Sequence, residues 1–185
     1  MAAGGCTVAG VRVVSGSARG RKLVAPDGAG TRPTPERVRE ATFNALGSLG
    51  AVDGATVLDL FAGSGAMGIE ALSRGAAHAT FVESDAAARR AITANLATCG
   101  LAPAADVLAM SVERFIGGVG GRRWDLALLD PPYDYDGWPE LLLDLPAQVA
   151  VLESSRPVDP PFGWEVIRTR RYGRTHVVIV ERIAV

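Results

Sequence analysis

Residues 59–70, DLFAGSGAMGIE, decide the fold. They connect a strand-like run at 56–61 to a helix-like run at 66–75 through a G-x-G-x-x-G loop that begins at Gly63. Glycine at these places lets the backbone turn tightly, lets a ligand approach closely and lets the helix pack against the sheet. A strand, a glycine loop and a helix in this order predict the first βα unit of a Rossmann-like fold that binds a nucleotide-like cofactor.

Strand-like and helix-like segments alternate through the rest of the chain. Further strands are predicted at 77–83, 105–109, 124–130 and 145–153, and further helices at 86–100, 111–118 and 138–145. This alternation predicts a parallel sheet with helices on both faces. The last stretch, 164–183, instead predicts an antiparallel hairpin that turns at Tyr172-Gly173. The predicted fold class is α/β: a Rossmann-like, mostly parallel seven-stranded sheet closed by that hairpin.

The first 50 residues are basic and predict a small extension. They contain seven basic and three acidic residues, in a chain whose net charge is −1. Residues 11–24 predict a β-hairpin, residues 25–35 a loop, and Thr34 the N-cap of the next helix. We therefore divide the chain into a basic extension, 1–50, and a catalytic domain, 51–185. The charge predicts contact with a polyanion, although a merely solvated basic arm would have the same composition.

Two acidic residues beside the glycine loop distinguish between cofactors. Asp59 ends the first strand, where a carboxylate would repel the pyrophosphate of a dinucleotide. S-adenosylmethionine has no phosphate, and its ammonium and sulfonium cations favour a nearby carboxylate. Glu83 stands 20 residues beyond Gly63, where an acid accepts hydrogen bonds from ribose hydroxyls. In the alternative interpretation, Asp59 only caps the helix of an ordinary βα turn.

We therefore predict S-adenosylmethionine as the cofactor. The third strand ends near the place where this fold holds adenine, and Ser111 there either contacts the ring or caps the following helix. The predicted cofactor-binding residues are Asp59, Gly63, Ser64, Gly65, Glu83 and Ser111.

The motif Asp130-Pro131-Pro132-Tyr133 follows the strand at 124–130 and carries the predicted chemistry. Two prolines seldom end a strand, because they supply no N–H donors and fix the backbone. A rigid turn suits a base amine: the Asp130 carboxylate and the Pro131 carbonyl accept its two N–H groups and aim its lone pair at the methyl carbon. Tyr133 would stack on the flipped base. The alternative is a rigid turn with a core tyrosine.

With these residues, the chain resembles the bacterial 16S rRNA guanine-N2 methyltransferases of the RsmD type. The matching stretches are RVVSGSARGRKL at 12–23, TRPTPERVREATFNAL at 31–46, VLDLFAGSGAMGIEALSRGA at 57–76, FVESD at 81–85 and DPPY at 130–133. The first two are the most specific, since the glycine loop and DPPY occur in many amino-methyltransferases. The resemblance implies methyl transfer from S-adenosylmethionine to N2 of a guanine in 16S rRNA, presented on an assembled small subunit.

The resemblance also implies roles for individual residues. Thr34, Arg37 and Phe43 are possible lining residues of the cofactor or target pocket. The segment 109–115 departs from the family pattern, which leaves the adenine contacts unassigned. The residues expected to contact rRNA phosphates are Arg12, Arg19, Arg21, Lys22, Arg32, Arg37 and Arg39.

Composition argues against several other classes. No run of about 18 apolar residues predicts a membrane span, and the N-terminus lacks the features of a secretory signal. Cys6 and Cys99 match no metal or redox spacing, and His78 and His176 are isolated. We therefore expect a cytoplasmic, monomeric enzyme that uses no metal.

Three alternative functions stay open. An N6-adenine methyltransferase of DNA or RNA would use the DPPY motif equally well, although it usually needs a separate target-recognition domain. A nicotinamide-dependent oxidoreductase would leave DPPY unexplained. A non-catalytic rRNA-binding assembly factor would bind RNA whether or not Asp130 is intact.

Overall fold

The computed structural model describes residues 11–26, 36–132 and 134–183. Within them, seven strands form one sheet in the order β3-β2-β1-β4-β5-β7-β6. Strands β1 to β5 are parallel, whereas β7 runs antiparallel to β5 and to β6. This confirms the predicted mostly parallel sheet with its closing hairpin. The strands are β1 Thr56–Leu60, β2 His78–Val82, β3 Ala105–Leu108, β4 Trp124–Leu129, β5 Ala147–Ser154, β6 Trp164–Tyr172 and β7 Thr175–Arg182.

In the described ranges, five α-helices cover the two faces of the sheet. Side chains alternate between the faces along each strand, so Val57 belongs to the hydrophobic core under α1, α2 and α3, and Leu58 to the core under α4 and α5. None of the helices in the described ranges has the length and apolar character that crossing a bilayer requires. The helices are α1 Glu36–Ser48, α2 Ala66–Ser73, α3 Ala86–Cys99, α4 Val112–Gly118 and α5 Trp138–Asp144.

The strand order reverses beside β1, and this positions the site. From β1 the chain moves outward to β2 and β3, then returns to the other side of β1 to form β4. In open sheets of this kind, ligands bind in the crevice at the carboxyl ends of the strands, at the reversal. The glycine loop after β1 and the DPPY motif after β4 both begin at this crevice.

The predicted N-terminal hairpin is present but short. The Val13 amide donates to the Arg21 carbonyl at 3.0 Å, and the Leu23 amide donates to Val11 at 2.7 Å. The hairpin does not extend further, because the Val14 and Ser15 amides donate to the buried carboxylate of Glu70.

The described part of the extension shares its core with the rest of the chain. Val13, Ala18 and Leu23 are buried in the same cluster as Val57 and Ile69. The division at residue 50 therefore does not separate two hydrophobic cores. The described part of the extension packs on the rest of the chain through buried apolar side chains and hydrogen bonds.

Candidate active site

The glycine loop begins directly after β1, and each of its three glycines has a physical role. Gly63 and Gly65 adopt φ values of 55° and 76°, a region in which other residues are strained. A Cβ atom on Gly68 would lie 2.4 Å from Cε1 of Phe81 and 2.9 Å from Oδ2 of Asp59. The absence of a side chain at Gly68 therefore allows α2 to pack directly on β2 and against Asp59.

Three carboxylates converge on this loop from the ends of three strands. Asp59, at the end of β1, is 3% exposed, and its Oδ2 accepts a hydrogen bond from the Gly68 amide at 2.8 Å. Glu83, after β2, accepts from the Gly63 amide at 2.8 Å and from the Asp85 amide at 2.8 Å. Asp130 follows β4 and is exposed. The bond from the Gly68 amide is the helix-capping bond that the alternative interpretation of Asp59 predicts. Asp59 therefore caps α2, and it does so within a cluster of acidic residues.

The electrostatics of this cluster favour a cation. Burial raises the pKa of Asp59 well above its usual range; the Gly68 amide lowers it, and the nearby carboxylates of Asp130 and Glu83 raise it further. A positive charge at the loop would stabilise the charged form of Asp59 and would be stabilised by Glu83, whereas water screens the exposed carboxylate of Asp130. A pyrophosphate would be repelled by the same groups.

Asp59→Asn should make stability less dependent on pH and should weaken cofactor binding. A carboxyl group whose pKa is raised by folding stabilises the folded state at low pH, and this contribution is lost as the pH rises from the ordinary aspartate pKa through the raised one. A neutral asparagine removes that loss, and it also removes a carboxyl group whose charged form would attract a cation. Urea unfolding at several pH values and calorimetric titration of cofactor would measure both effects.

Asp125→Asn is the control for this prediction. Hydrogen bonds from the Thr56 amide and hydroxyl lower the pKa of Asp125, so its contribution to stability is lost as the pH falls. Its replacement should therefore change the pH dependence with the opposite sign. Unchanged cofactor affinity in Asp59→Asn would contradict the assigned role of Asp59.

The DPPY turn is braced by aromatic side chains. The Tyr135 amide donates to the Pro132 carbonyl at 3.0 Å and closes the turn. The Tyr135 ring packs edge-to-face on Phe61, with centroids 5.3 Å apart, and on Trp138 at 5.5 Å. Phe61 has φ 59°, a strained conformation of the kind that is found at functional sites. These rings connect the turn that carries Asp130 to the exit of β1.

Tyr133 lies outside the described residues, so its stacking role stays a prediction.

A buried asparagine that the sequence analysis missed joins the extension to the glycine loop. Oδ1 of Asn95, in α3, accepts from the Val24 amide at 2.8 Å, and its Nδ2 donates to the Val24 carbonyl at 3.0 Å. The same Nδ2 donates to the carbonyl of Ser64 at 2.9 Å. Asn95 is 1% exposed, and the only signal in the sequence is a polar residue on the apolar face of a helix.

The predicted RNA-contacting residues separate into exposed and buried side chains. Arg19, Arg21 and Lys22 are exposed on the hairpin, and Arg37 is exposed in the first turn of α1. Arg12 is exposed and lies 3.4 Å from Glu36. Arg32 lies outside the described residues.

The assignment of Arg39 to RNA contact is wrong. Its side chain is 0% exposed, and its Nε lies 3.5 Å from Glu70, whose side chain is also 0% exposed. Its guanidinium also donates to the Arg12 carbonyl. Burial lowers the pKa of Arg39, and the neighbouring Glu70 carboxylate opposes that shift. Arg39 therefore connects α1, α2 and the hairpin in the interior, where it cannot meet a phosphate.

The structure also bears on the pocket role predicted for Phe43 and on the adenine contact predicted for Ser111. Phe43 is 0% exposed in the hydrophobic core under α1, so its side chain is not available to a cofactor or a target base. The Ser111 hydroxyl accepts from the Arg114 amide at 3.3 Å and caps α4, as one of the two interpretations has it; its contact with adenine stays a prediction. Thr34 lies outside the described residues.

Cys99 and the two histidines form no metal group in the described ranges, and Cys6 lies outside those ranges. Cys99 is a free, half-buried thiol, and burial raises its pKa. His78 Nε2 lies 3.1 Å from a carboxylate oxygen of Asp106. No group of three or more His, Cys, Asp and Glu side chains in residues 11–26, 36–132 and 134–183 is arranged to hold a metal ion.

The sheet order, the glycine loop at the reversal and the acidic cluster define the class of protein, the Rossmann-like methyltransferases. Within that class, residues 11–181 match the family described as "Conserved hypothetical protein 95". The chain belongs to this family, which is the RsmD family.

Relatives at high coverage agree with this assignment. The chain is 38% identical to the putative rRNA methyltransferase YlbH of Bacillus subtilis, over 93% of this chain and 99% of the relative. It is 36% identical to the ribosomal RNA small subunit methyltransferase D of Escherichia coli K12, over 94% of this chain and 91% of the relative. The solved structure of the putative methyltransferase yhhF from Escherichia coli superposes with a TM-score of 0.83 at 35% identity, over 95% of this chain and 99% of that one.

Proposed function

We propose that the protein transfers a methyl group from S-adenosylmethionine to the exocyclic N2 amine of a guanine in 16S rRNA. The observation that carries the proposal is the convergence of Asp59, Glu83 and Asp130 around the glycine loop, at the carboxyl edge of the sheet. The small-subunit rRNA methyltransferases among its relatives support the substrate. We further propose that it acts as a monomer in the cytoplasm, on an assembled small subunit.

The residues around the glycine loop fit a cationic, nucleoside-containing cofactor. When bound, S-adenosylmethionine supplies an electrophilic methyl group on a sulfonium. Each carboxylate oxygen has two lone pairs, so Glu83 can accept from ribose hydroxyls while it still holds the Gly63 and Asp85 amides. Asp59 supplies a carboxyl group beneath the loop, whose charged form a bound cation would stabilise. The absence of a side chain at Gly63, where a Cβ atom would meet only the Phe61 carbonyl oxygen at 3.9 Å, leaves room for a close approach.

The DPPY turn holds the amine on the opposite side of the crevice. The lone pair of a guanine amine is delocalised into the ring, which makes it a poor nucleophile. Acceptance of its two N–H groups by the Asp130 carboxylate and the Pro131 carbonyl fixes the nitrogen and directs its lone pair toward the methyl carbon. Asp130 stabilises the positive charge that develops on the nitrogen and accepts the released proton, directly or through water.

The direct test is methyl transfer from labelled S-adenosylmethionine to small subunits that lack base methylation, followed by nucleoside analysis. N2-methylguanosine in 16S rRNA is the expected product. N6-methyladenosine would keep the cofactor and the role of the turn but would refute the guanine substrate. No transfer to subunits, naked RNA or DNA by a protein that binds the cofactor would favour a non-catalytic rRNA-binding assembly factor.

Arg19→Gln with Arg21→Gln should weaken binding to rRNA and reduce its dependence on salt. Both side chains are exposed on the hairpin, and loss of two phosphate contacts should lower the slope of log K against log salt by about 1.5. Fluorescence anisotropy over a salt series measures this slope. Arg122→Gln with Arg123→Gln, an equal change of charge in the loop before β4, is the control. Equal slopes in the two double variants would show that the hairpin does not touch phosphate.

A further inference from the structure

The β6–β7 hairpin has one strongly basic end that the proposed chemistry does not use. Residues 166–176 contain four arginines and no acidic residue. At the other end of the hairpin, Glu165 pairs with Glu181 in the strand register. The hairpin is therefore polarised along its length. We call the exposed arginines of this end the basic tip: Arg170, Arg171 and Arg174.

The strand register places the basic tip at the same edge of the sheet as the candidate active site. Leu129, the last residue of β4, is level with Leu152 of β5, which pairs with Val178 of β7. Arg170 pairs with Val177 and Arg171 with His176, one and two residues further toward the carboxyl edge. The tip therefore lies level with Asp130 and the residues that follow it. Three strand spacings, about 14 Å in all, separate β6 from β4.

The two basic surfaces lie on opposite sides of the DPPY turn. The N-terminal hairpin is fixed to α2 by Glu70 and to α3 by Asn95, on the β2 side of β1. The basic tip lies beyond β5, on the other side of β4. A polyanion that contacts both surfaces along the carboxyl edge of the sheet passes Asp130, which stands between them.

We infer that the basic tip is a second binding site for rRNA phosphates, which holds the strand that flanks the target base on the side away from the N-terminal hairpin. Arginine suits this role, because its planar guanidinium binds phosphate through paired N–H donors and stays charged. The inference rests on the proposed function for the identity of the RNA. Its geometric basis is the register of β5, β6 and β7.

A protein strand added along β6 is the competing occupant, because β6 is the last strand of the described sheet. A second copy of this chain would bring its own four arginines against these four, and such charges on an edge strand oppose strand pairing. Phosphate is the partner that complements four positive charges in a segment that contains no acidic residue. The absence of acidic residues from 166–176 thus favours RNA.

Arg170→Gln with Arg174→Gln tests the inference, with Arg122→Gln and Arg123→Gln as the control. Arg122 and Arg123 are also exposed, but they precede β4 and so lie at the amino edge of the sheet. Affinity for naked 16S rRNA and for small subunits is measured over a salt series, and methyl transfer is measured in parallel. We expect the tip variant to lose affinity on the order of tenfold and to lower the salt slope by about 1.5. Its KM for RNA should rise in proportion, with kcat and the cofactor Kd unchanged, and the control should match wild type.

Several results would overturn the inference. The first is a tip variant whose RNA affinity and salt slope equal those of the control. The second is a loss of affinity for assembled small subunits but not for naked 16S rRNA, which would indicate a protein partner. The third is a tip variant whose sedimentation without RNA differs from wild type, which would indicate contact between copies of the chain. Failure of the proposed function is distinguishable, because it appears as absence of methyl transfer by the wild-type protein. Wild-type protein that methylates rRNA, together with a tip variant that binds like the control, would refute the basic tip alone.

Discussion

Asp130→Asn should lower kcat for methyl transfer by about 10³-fold while it leaves the cofactor Kd within about twofold of wild type. The substitution keeps the shape of the side chain but removes its charge and converts one acceptor into a donor. The asparagine carbonyl can still accept an N–H of the base amine, but the neutral amide neither stabilises the positive charge that develops on the nitrogen nor accepts the released proton. Single-turnover kinetics with saturating RNA and cofactor would separate this chemical step from binding.

The matched control is Asp125→Asn, because Asp125 lies near the start of β4, at the opposite edge of the sheet from Asp130. Its carboxylate accepts from the Thr56 amide and hydroxyl, both at 2.7 Å, far from the crevice. This variant should retain turnover. If Asp130→Asn lost cofactor affinity as severely as turnover, Asp130 would be a binding or folding residue and the proposed role would be wrong.

Gly16→Ala should destabilise the protein by about 2–4 kcal/mol, because it forces the N-terminal hairpin away from α2. A Cβ atom at this position would lie 1.7 Å from the carbonyl oxygen of Ser73, and neither backbone has room to move without breaking contacts. The Ser17 amide donates to that carbonyl at 2.7 Å, and the Ala18 amide donates to the Ser73 hydroxyl at 2.9 Å. Urea unfolding measures the loss.

Gly20→Ala separates steric conflict from backbone strain. Gly20 has φ 81°, close to the 84° of Gly16, but a Cβ atom there would meet nothing within 4 Å. Its replacement should cost only the left-handed conformation, about 1 kcal/mol. We also expect Gly16→Ala to weaken rRNA binding, since it displaces the segment that carries Arg19 and Arg21. Equal losses of stability in the two variants would mean that contact with Ser73 does not hold the hairpin.

The glycine loop and the DPPY motif were predictable because each depends on local requirements of the backbone. Gly63 and Gly65 stand where φ is positive, and Gly68 stands where a side chain would meet Phe81. The alternation of strands and helices similarly predicts the parallel sheet, whose topology then places Asp59, Glu83 and Asp130 at one edge. The roles proposed for these residues await the experiments above, whereas their positions agree with the prediction.

The sequence-based predictions failed where the burial of a side chain depends on a partner distant in the chain. Arg39 has the composition of an RNA contact, but Glu70 from α2 stabilises its guanidinium inside the protein. Phe43 has no feature that separates a pocket residue from a core residue until α1 is packed on the sheet. Asn95 likewise became significant only when Val24 and Ser64 were brought to it.

The sequence by itself determined the fold class, the glycine loop and the DPPY turn, because those features follow from periodicity, glycine placement and proline chemistry within short segments. Only the tertiary structure decided which basic residues are available to RNA. It buried Arg39 against Glu70, and through the register of β5, β6 and β7 it carried Arg170 and Arg174 to the edge of the candidate active site. Exposure and proximity are properties of packed elements, and no short segment of this chain contains both members of these contacts.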